Sequence, residues 1–162
     1  MKPKMMISTE CKRMLDDALF LELSQSNLWK HIANHMQRAG YFGAQKYFLK
    51  ESAEELEHYQ INVDFQNDVG AVATVPEVDK PTGVFNTLNQ AIEQAYKTEV
   101  DVYLDYKRFY EKEGDAVVKQ FLLQFLEIQR KAVGAYGDLL ARLEIAGGDK
   151  AAALLIDQEL GG

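Results

Sequence analysis

The chain has 162 residues, 47% hydrophobic and 27% charged, with a net charge of −7; that length suits one well-formed core, so a single domain over residues 1–162 is expected. An acidic chain without a basic patch disfavours nucleic acid as a partner and suits the attraction of cations. The lone cysteine, Cys11, excludes an internal disulfide; with neither an apolar signal core at the N-terminus nor an apolar run near the roughly 20 residues of a bilayer crossing, the expectation is a cytoplasmic protein with no membrane association.

Three prolines occur, at positions 3, 76 and 81, and none interrupts a long periodic segment. Ser8 or Thr9 caps a first helix predicted over about 8–37. Its apolar stripe takes Leu15, Ala18, Trp29, Ala33 and Met36 at helical spacing, and Glu22 falls within that stripe. The turn RAGYFG, with Gly40 and Gly43, leads into a second helix over about 42–69. Two helices joined by so few residues must lie antiparallel. Gly70 ends the second helix, and GAVATVPEVDKPTGVF follows without a periodic pattern. Extended, this stretch reaches about 50 Å, enough to travel the length of a long helix. It is therefore a candidate crossover between two helical hairpins.

Thr87 with Gln90 forms a capping box for a third helix over about 87–113. Leu88, Ile92, Ala95, Val102, Tyr106 and Phe109 make its stripe, and Glu99 occupies the missing beat. After Gly114, Asp115 caps a fourth helix over about 115–146, with Val118, Leu122, Phe125, Ala132, Tyr136, Leu140 and Leu143 along one seam and Gln129 set in it. Asp149 caps a short apolar fifth helix over about 150–160. The pattern predicts an all-α fold: an antiparallel four-helix bundle, one long crossover between helices two and three, and a small C-terminal helix.

Four segments thus place polar side chains on a face that should be apolar. On the second helix Glu55 and His58 stand three residues apart, so a carboxylate and an imidazole share one face. Taken alone, Glu-x-x-His marks a solvated helix surface far more often than a metal site. Here Glu22, Glu99 and Gln129 lie near the middle of three other helices, where positions in a bundle meet at one depth. Three carboxylates gathered without a cation repel one another, and a divalent metal removes that cost. The inferred geometry gives two adjacent sites: Glu22 and His58 on one metal, Glu99 and Gln129 on the other, with Glu55 bridging. Such a pair of ions sits roughly 3.5–4 Å apart, a span that one carboxylate bridges. Mixed oxygen and imidazole donors suit iron, and positions left open to water or dioxygen suit two-electron oxidation of paired Fe(II).

With these residues in place, the chain resembles a non-haem ferritin over essentially its whole length. YFLKESAEELEH is similar to the second-helix motif of animal heavy-chain ferritins, QRKAVGAYGD resembles their fourth-helix pattern, and ALLIDQEL looks like the fifth helix of bacterial ferritins. The resemblance implies a ferroxidase with a di-iron centre on Glu22, Glu55, His58, Glu99 and Gln129. It further implies dioxygen or hydrogen peroxide as oxidant, a homo-oligomeric cage of twenty-four subunits, and ferric mineral stored inside. Glu51, Glu54 and Glu57 become candidate auxiliary iron ligands, with a solvated acidic face as the equal alternative.

Departures from the family pattern are specific. Trp29 stands where most ferritins carry a tyrosine seven residues after the first glutamate, making it a candidate redox neighbour or plain core packing. Lys119 and Leu122 occupy positions where animal ferritins line a three-fold channel with acids. Ile128, Lys131 and Ala132 replace the carboxylates of a third iron site. Leu56 takes the place of a haem-binding methionine, so no haem is expected. Two other readings stand beside the ferroxidase: a bundle oxygenase or peroxidase, and a storage subunit without a competent centre.

Overall fold

The computed structural model describes all 162 residues. Five helices account for the regular structure: α1 (Thr9–Ala39), α2 (Phe42–Asp68), α3 (Leu88–Lys112), α4 (Ala116–Ala146) and α5 (Lys150–Leu160). Helices α1 and α2 pack along one another, as do α3 and α4, and α5 rests mainly on α2. The architecture is a four-helix bundle with a short C-terminal helix.

Local chemistry explains where each helix begins. Ser8, Thr87, Asp115 and Asp149 each accept a hydrogen bond from a backbone N–H of the following turn, satisfying donors that a helix start leaves orphaned. At α3 the partner half of the capping box is displaced by one residue: Gln90 Oε1 accepts from the N–H of Asn86 rather than from that of Thr87. Helix α1 ends at Gly40 in the left-handed conformation, φ 91°, which costs glycine little.

The apolar stripes divide the interior into two clusters, one around Trp29, Phe48, Ile92 and Tyr136, the other around Leu15, Tyr106, Leu122 and Phe125. Between them the α1–α2 contact is stitched by buried polar groups. Ser26 and Ser52 each donate to the other's backbone carbonyl at 2.9 Å, so two small side chains allow close approach while leaving no hydroxyl unpaired. Asn62 Nδ2 donates to the Leu15 carbonyl at 2.9 Å.

Residues 71–86 carry no regular structure and connect α2 to α3. Near its start the connection donates Thr74 N–H to Asp16 Oδ1; near its end Phe85 N–H reaches His35 Nδ1 and the Gly83 carbonyl meets His31 Nε2. Asp16 and His35 are nineteen residues apart on α1, roughly 28 Å at the helical rise. The segment is therefore the crossover, running along α1. His31 and His35 hold its far end.

Leu122 is wholly buried in the second cluster. Its place on the α4 seam turns it into the bundle interior, so its side chain lines no surface. Lys119 instead sits over the Tyr110 ring, its Nζ 4.7 Å from the centroid.

Candidate metal centre

One turn of α2 supplies the nucleus of the site. Glu55 and His58 share a helix face, and His58 Nδ1 lies 3.0 Å from Glu55 Oε2. From α1, Glu22 brings its Oε2 to 3.6 Å from the same nitrogen. The three residues present one donor atom each within 4.8 Å of one another. Donors about 2.1 Å from a common ion stand roughly 3.0–3.4 Å apart at octahedral or tetrahedral angles. The triangle is thus close to the size that one cation needs, and a proton on His58 Nδ1 fills that space in the metal-free chain.

Both carboxylates of this triangle have a supporting partner. Tyr106 on α3 donates to Glu22 Oε1 at 2.5 Å, and Trp29 Nε1 donates to Glu55 Oε1 at 3.1 Å. Trp29 is itself wholly buried and packs against Phe48 and Tyr136, with ring centroids at 5.7 and 6.1 Å. Glu55 therefore has one oxygen fixed by an indole and the other turned to His58.

Glu99 and Gln129 lie outside the triangle. They join Glu55 and His58 in lining a cavity of about 300 Å³, bounded also by Tyr47, Tyr136, Glu51 and Glu54. Both are about 1% exposed, and Glu99 Oε2 and Gln129 Oε1 are buried without a hydrogen-bond partner. Orphaned acceptors of this kind are costly and rare. A carboxylate oxygen and an amide oxygen left together in that way fit a bound cation. Ile128, Lys131 and Ala132 line the same cavity and add no oxygen donor to it. Glu57 is exposed and does not line the cavity, which separates it from Glu51 and Glu54.

Electrostatics agree with a site built for positive charge. Burial, reinforced by Glu55, pushes the Glu22 carboxyl up to about 8. Burial likewise raises Glu99 well above the usual carboxylate range, with the Glu55 charge adding to it. Glu51 rises to about 7 through burial and the neighbouring Glu54 and Glu55. Although burial works against a charged imidazole, Glu22 and Glu55 hold His58 up at about 10. Of this cluster only Glu55 moves down, its burial outweighed by the bonds to His58, Glu22 and Trp29 and the His58 charge taken together. At neutral pH the metal-free cluster therefore holds protons on Glu22 and His58, in the place where a cation would sit.

Two residues at this site escape a reading of spacing alone. Tyr106 stands in the α3 stripe as if it were apolar; its one signal is that a buried phenol needs a partner. Gln25, three residues after Glu22 on the same face of α1, is 2% exposed with both amide atoms unpaired.

A ferritin-like domain model matches residues 12–146 of the chain. The chain is 32% identical to a ferritin of Pacifastacus leniusculus over 123 residues, 73% of this chain and 68% of that one. It is 26% identical to a bacterial non-heme ferritin of Bacteroides fragilis over 163 residues, covering 96% of this chain and 99% of that one. Among solved structures, it is similar to an open pore ferritin from the hyperthermophilic archaeon Archaeoglobus fulgidus, with a TM-score of 0.92, 25% identity, and 96% and 98% of the two chains covered.

Proposed function

The chain belongs to the ferritin family as a non-haem member, and on that premise we propose that it takes up Fe(II), oxidises it with dioxygen or hydrogen peroxide, and stores the ferric product in a cage of twenty-four subunits. Iron here is substrate and cargo. Glu22, Glu55 and His58 hold the first Fe(II), Glu99 and Gln129 hold the second, and Glu55 spans the two.

The observation that carries this reading is the pairing of a cation-sized triangle with orphaned buried acceptors across one cavity. Glu22 Oε2, Glu55 Oε2 and His58 Nδ1 form the triangle; Glu99 Oε2 and Gln129 Oε1 are the orphaned atoms. The first position has two carboxylates and an imidazole, the second a carboxylate and a neutral amide besides the shared Glu55. The second iron is accordingly held less tightly, which suits a product that must leave. Two Fe(II) each give up one electron, and one dioxygen accepts both and two protons to leave as hydrogen peroxide. Cation entry expels the protons held by Glu22 and His58, and the half-buried Glu51 and Glu54 at the cavity offer carboxylates along the way. Trp29 keeps Glu55 oriented, and its indole is oxidisable, so it stands as the redox neighbour of the pair.

Fe(II) titration of the iron-free protein under air tests this reading. It predicts rapid Fe(III) formation that saturates near two irons per chain. An initial rate no faster than in buffer would leave a storage subunit without a competent centre.

A further inference from the structure

The two halves of the site are unequally supported. Glu22 is held by Tyr106 and Glu55 by Trp29. Glu99 receives no comparable bond: its Oε2 is buried and unpaired. Beside it lies Gln25, near enough for its amide to draw the Glu99 carboxyl down; Gln25 is 2% exposed, and neither its Nε2 nor its Oε1 completes a hydrogen bond of full geometry. A primary amide brings two N–H donors and a carbonyl acceptor; an ionised carboxylate brings acceptors alone. An orphaned donor and an orphaned acceptor on adjoining side chains are complementary, and a bond between them removes two buried defects at once. Gln25 has no other visible reason to be polar, since it sits one turn from Glu22 among the buried residues of α1.

We propose that Gln25 is the positioning residue of the second iron site: its Nε2–H donates to the Glu99 carboxylate when the site is loaded and aims that carboxylate at the ion shared with Gln129. The role parallels that of Trp29 toward Glu55 and Tyr106 toward Glu22, so each site carboxylate has one donor from a helix other than its own. Outer partners that orient a ligating group in this way typically change metal affinity by about 10–100-fold. Gln25 does not itself touch the metal. This inference rests on the two-site reading given above.

Co(II) titration of the iron-free full-length chain, followed by calorimetry and by the visible absorption of the bound ion, separates the two. The wild type takes up two Co(II) per chain, and His58→Ala loses the tighter one. In Gln25→Leu, and in Gln25→Met of equal side-chain length, the tighter Co(II) binds as before. The weaker one loosens by about 10–100-fold with an altered absorption band, while helical circular dichroism stays that of the wild type. Gln25→Glu, which loses the donor, does not restore the second site. Two Co(II) bound with unchanged affinity and spectrum in both neutral variants would overturn the role of Gln25 and leave the two-site reading intact. A second site tightened by Gln25→Glu would also overturn it, making position 25 a place for a ligand. A wild type that binds fewer than two Co(II), or keeps both in His58→Ala, refutes the two-site reading itself.

Discussion

Tyr106 on α3 donates to Glu22 on α1 across 2.5 Å, and both side chains are wholly inaccessible to solvent. The bond crosses between helical hairpins at the depth of the metal centre, so it serves packing and ligand geometry together. Tyr106→Phe keeps the ring stacked on Phe125, whose centroid lies 5.1 Å away, and removes only the donor. The expected cost is about 1–3 kcal/mol of stability in the metal-free chain, since Glu22 Oε1 is left buried and unpaired. Denaturant unfolding checks it, and an unchanged midpoint refutes the coupling. Affinity for the first Co(II) should fall as well, because Glu22 is free to turn away from His58.

Glu55 and His58 differ in what their loss should do. Glu55 spans both positions, whereas His58 serves only the first. Glu55→Ala is therefore expected to abolish rapid Fe(II) oxidation and weaken both metals. His58→Ala should slow oxidation at least tenfold and leave the second position able to bind, a fall of the size that even supporting groups produce. Stopped-flow absorbance of Fe(III) formation measures the difference; rates equal to the wild type in either variant would refute the assignment of that residue.

Stability against pH has a definite sign. Glu22 stands at about 8 in the fold against an ordinary 4.5, and His58 at about 10 against 6.5. Both groups bind a proton more tightly folded than unfolded. The stability they contribute is whole below those ordinary values and is lost as pH rises through about 8 for Glu22 and about 10 for His58. Glu55, moved down, acts in the opposite direction, over the range below its ordinary 4.5. The thermal midpoint of the metal-free wild type should therefore fall, relative to Glu22→Gln, between about pH 5 and about pH 9. A bound divalent ion replaces those protons and should flatten the fall. A midpoint that instead climbs relative to Glu22→Gln over that range contradicts the assignment.

Much of the bundle is legible in the sequence because burial repeats with the helix. Leu15, Ala18, Ala33 and Met36 on α1, and Leu88, Ile92 and Ala95 on α3, are all but inaccessible. Polar residues interrupting those stripes stand out for the same reason, and Glu22, Glu55, Glu99 and Gln129 are each buried. What spacing does not carry is which side chain meets which across helices. Tyr106 reads as one more stripe residue, and Gln25 passes without notice beside Glu22, because a period gives a face and not a partner. Leu122, read from its spacing as part of the α4 seam, is wholly buried there.

Helix α5 gives the clearest case of a contact invisible to local pattern. Helix α2 has no side-chain cap of its own: its N-cap is Tyr41, which makes no such bond. Asp157, from α5, accepts the N–H of Gly43 at 3.1 Å and that of Ala44 at 2.6 Å, over a hundred residues away in sequence. The carboxylate thus caps α2 from another helix and meets the positive end of its dipole. Gly43 is required for that approach, since a Cβ there would lie 1.7 Å from the Asp157 carbonyl oxygen. Asp157→Ala should cost about 0.5–2 kcal/mol, the range for losing a cap. The loss should appear first as faster amide exchange in α5 and in the first turn of α2, with the centre of the bundle unchanged. Gly43→Ala, which displaces α5 outright, should bring exchange in α5 close to that of an unpacked helix. Protected α5 amides in Gly43→Ala would show that the helix is held by its apolar face at Ile156 alone, and that Asp157 only follows it.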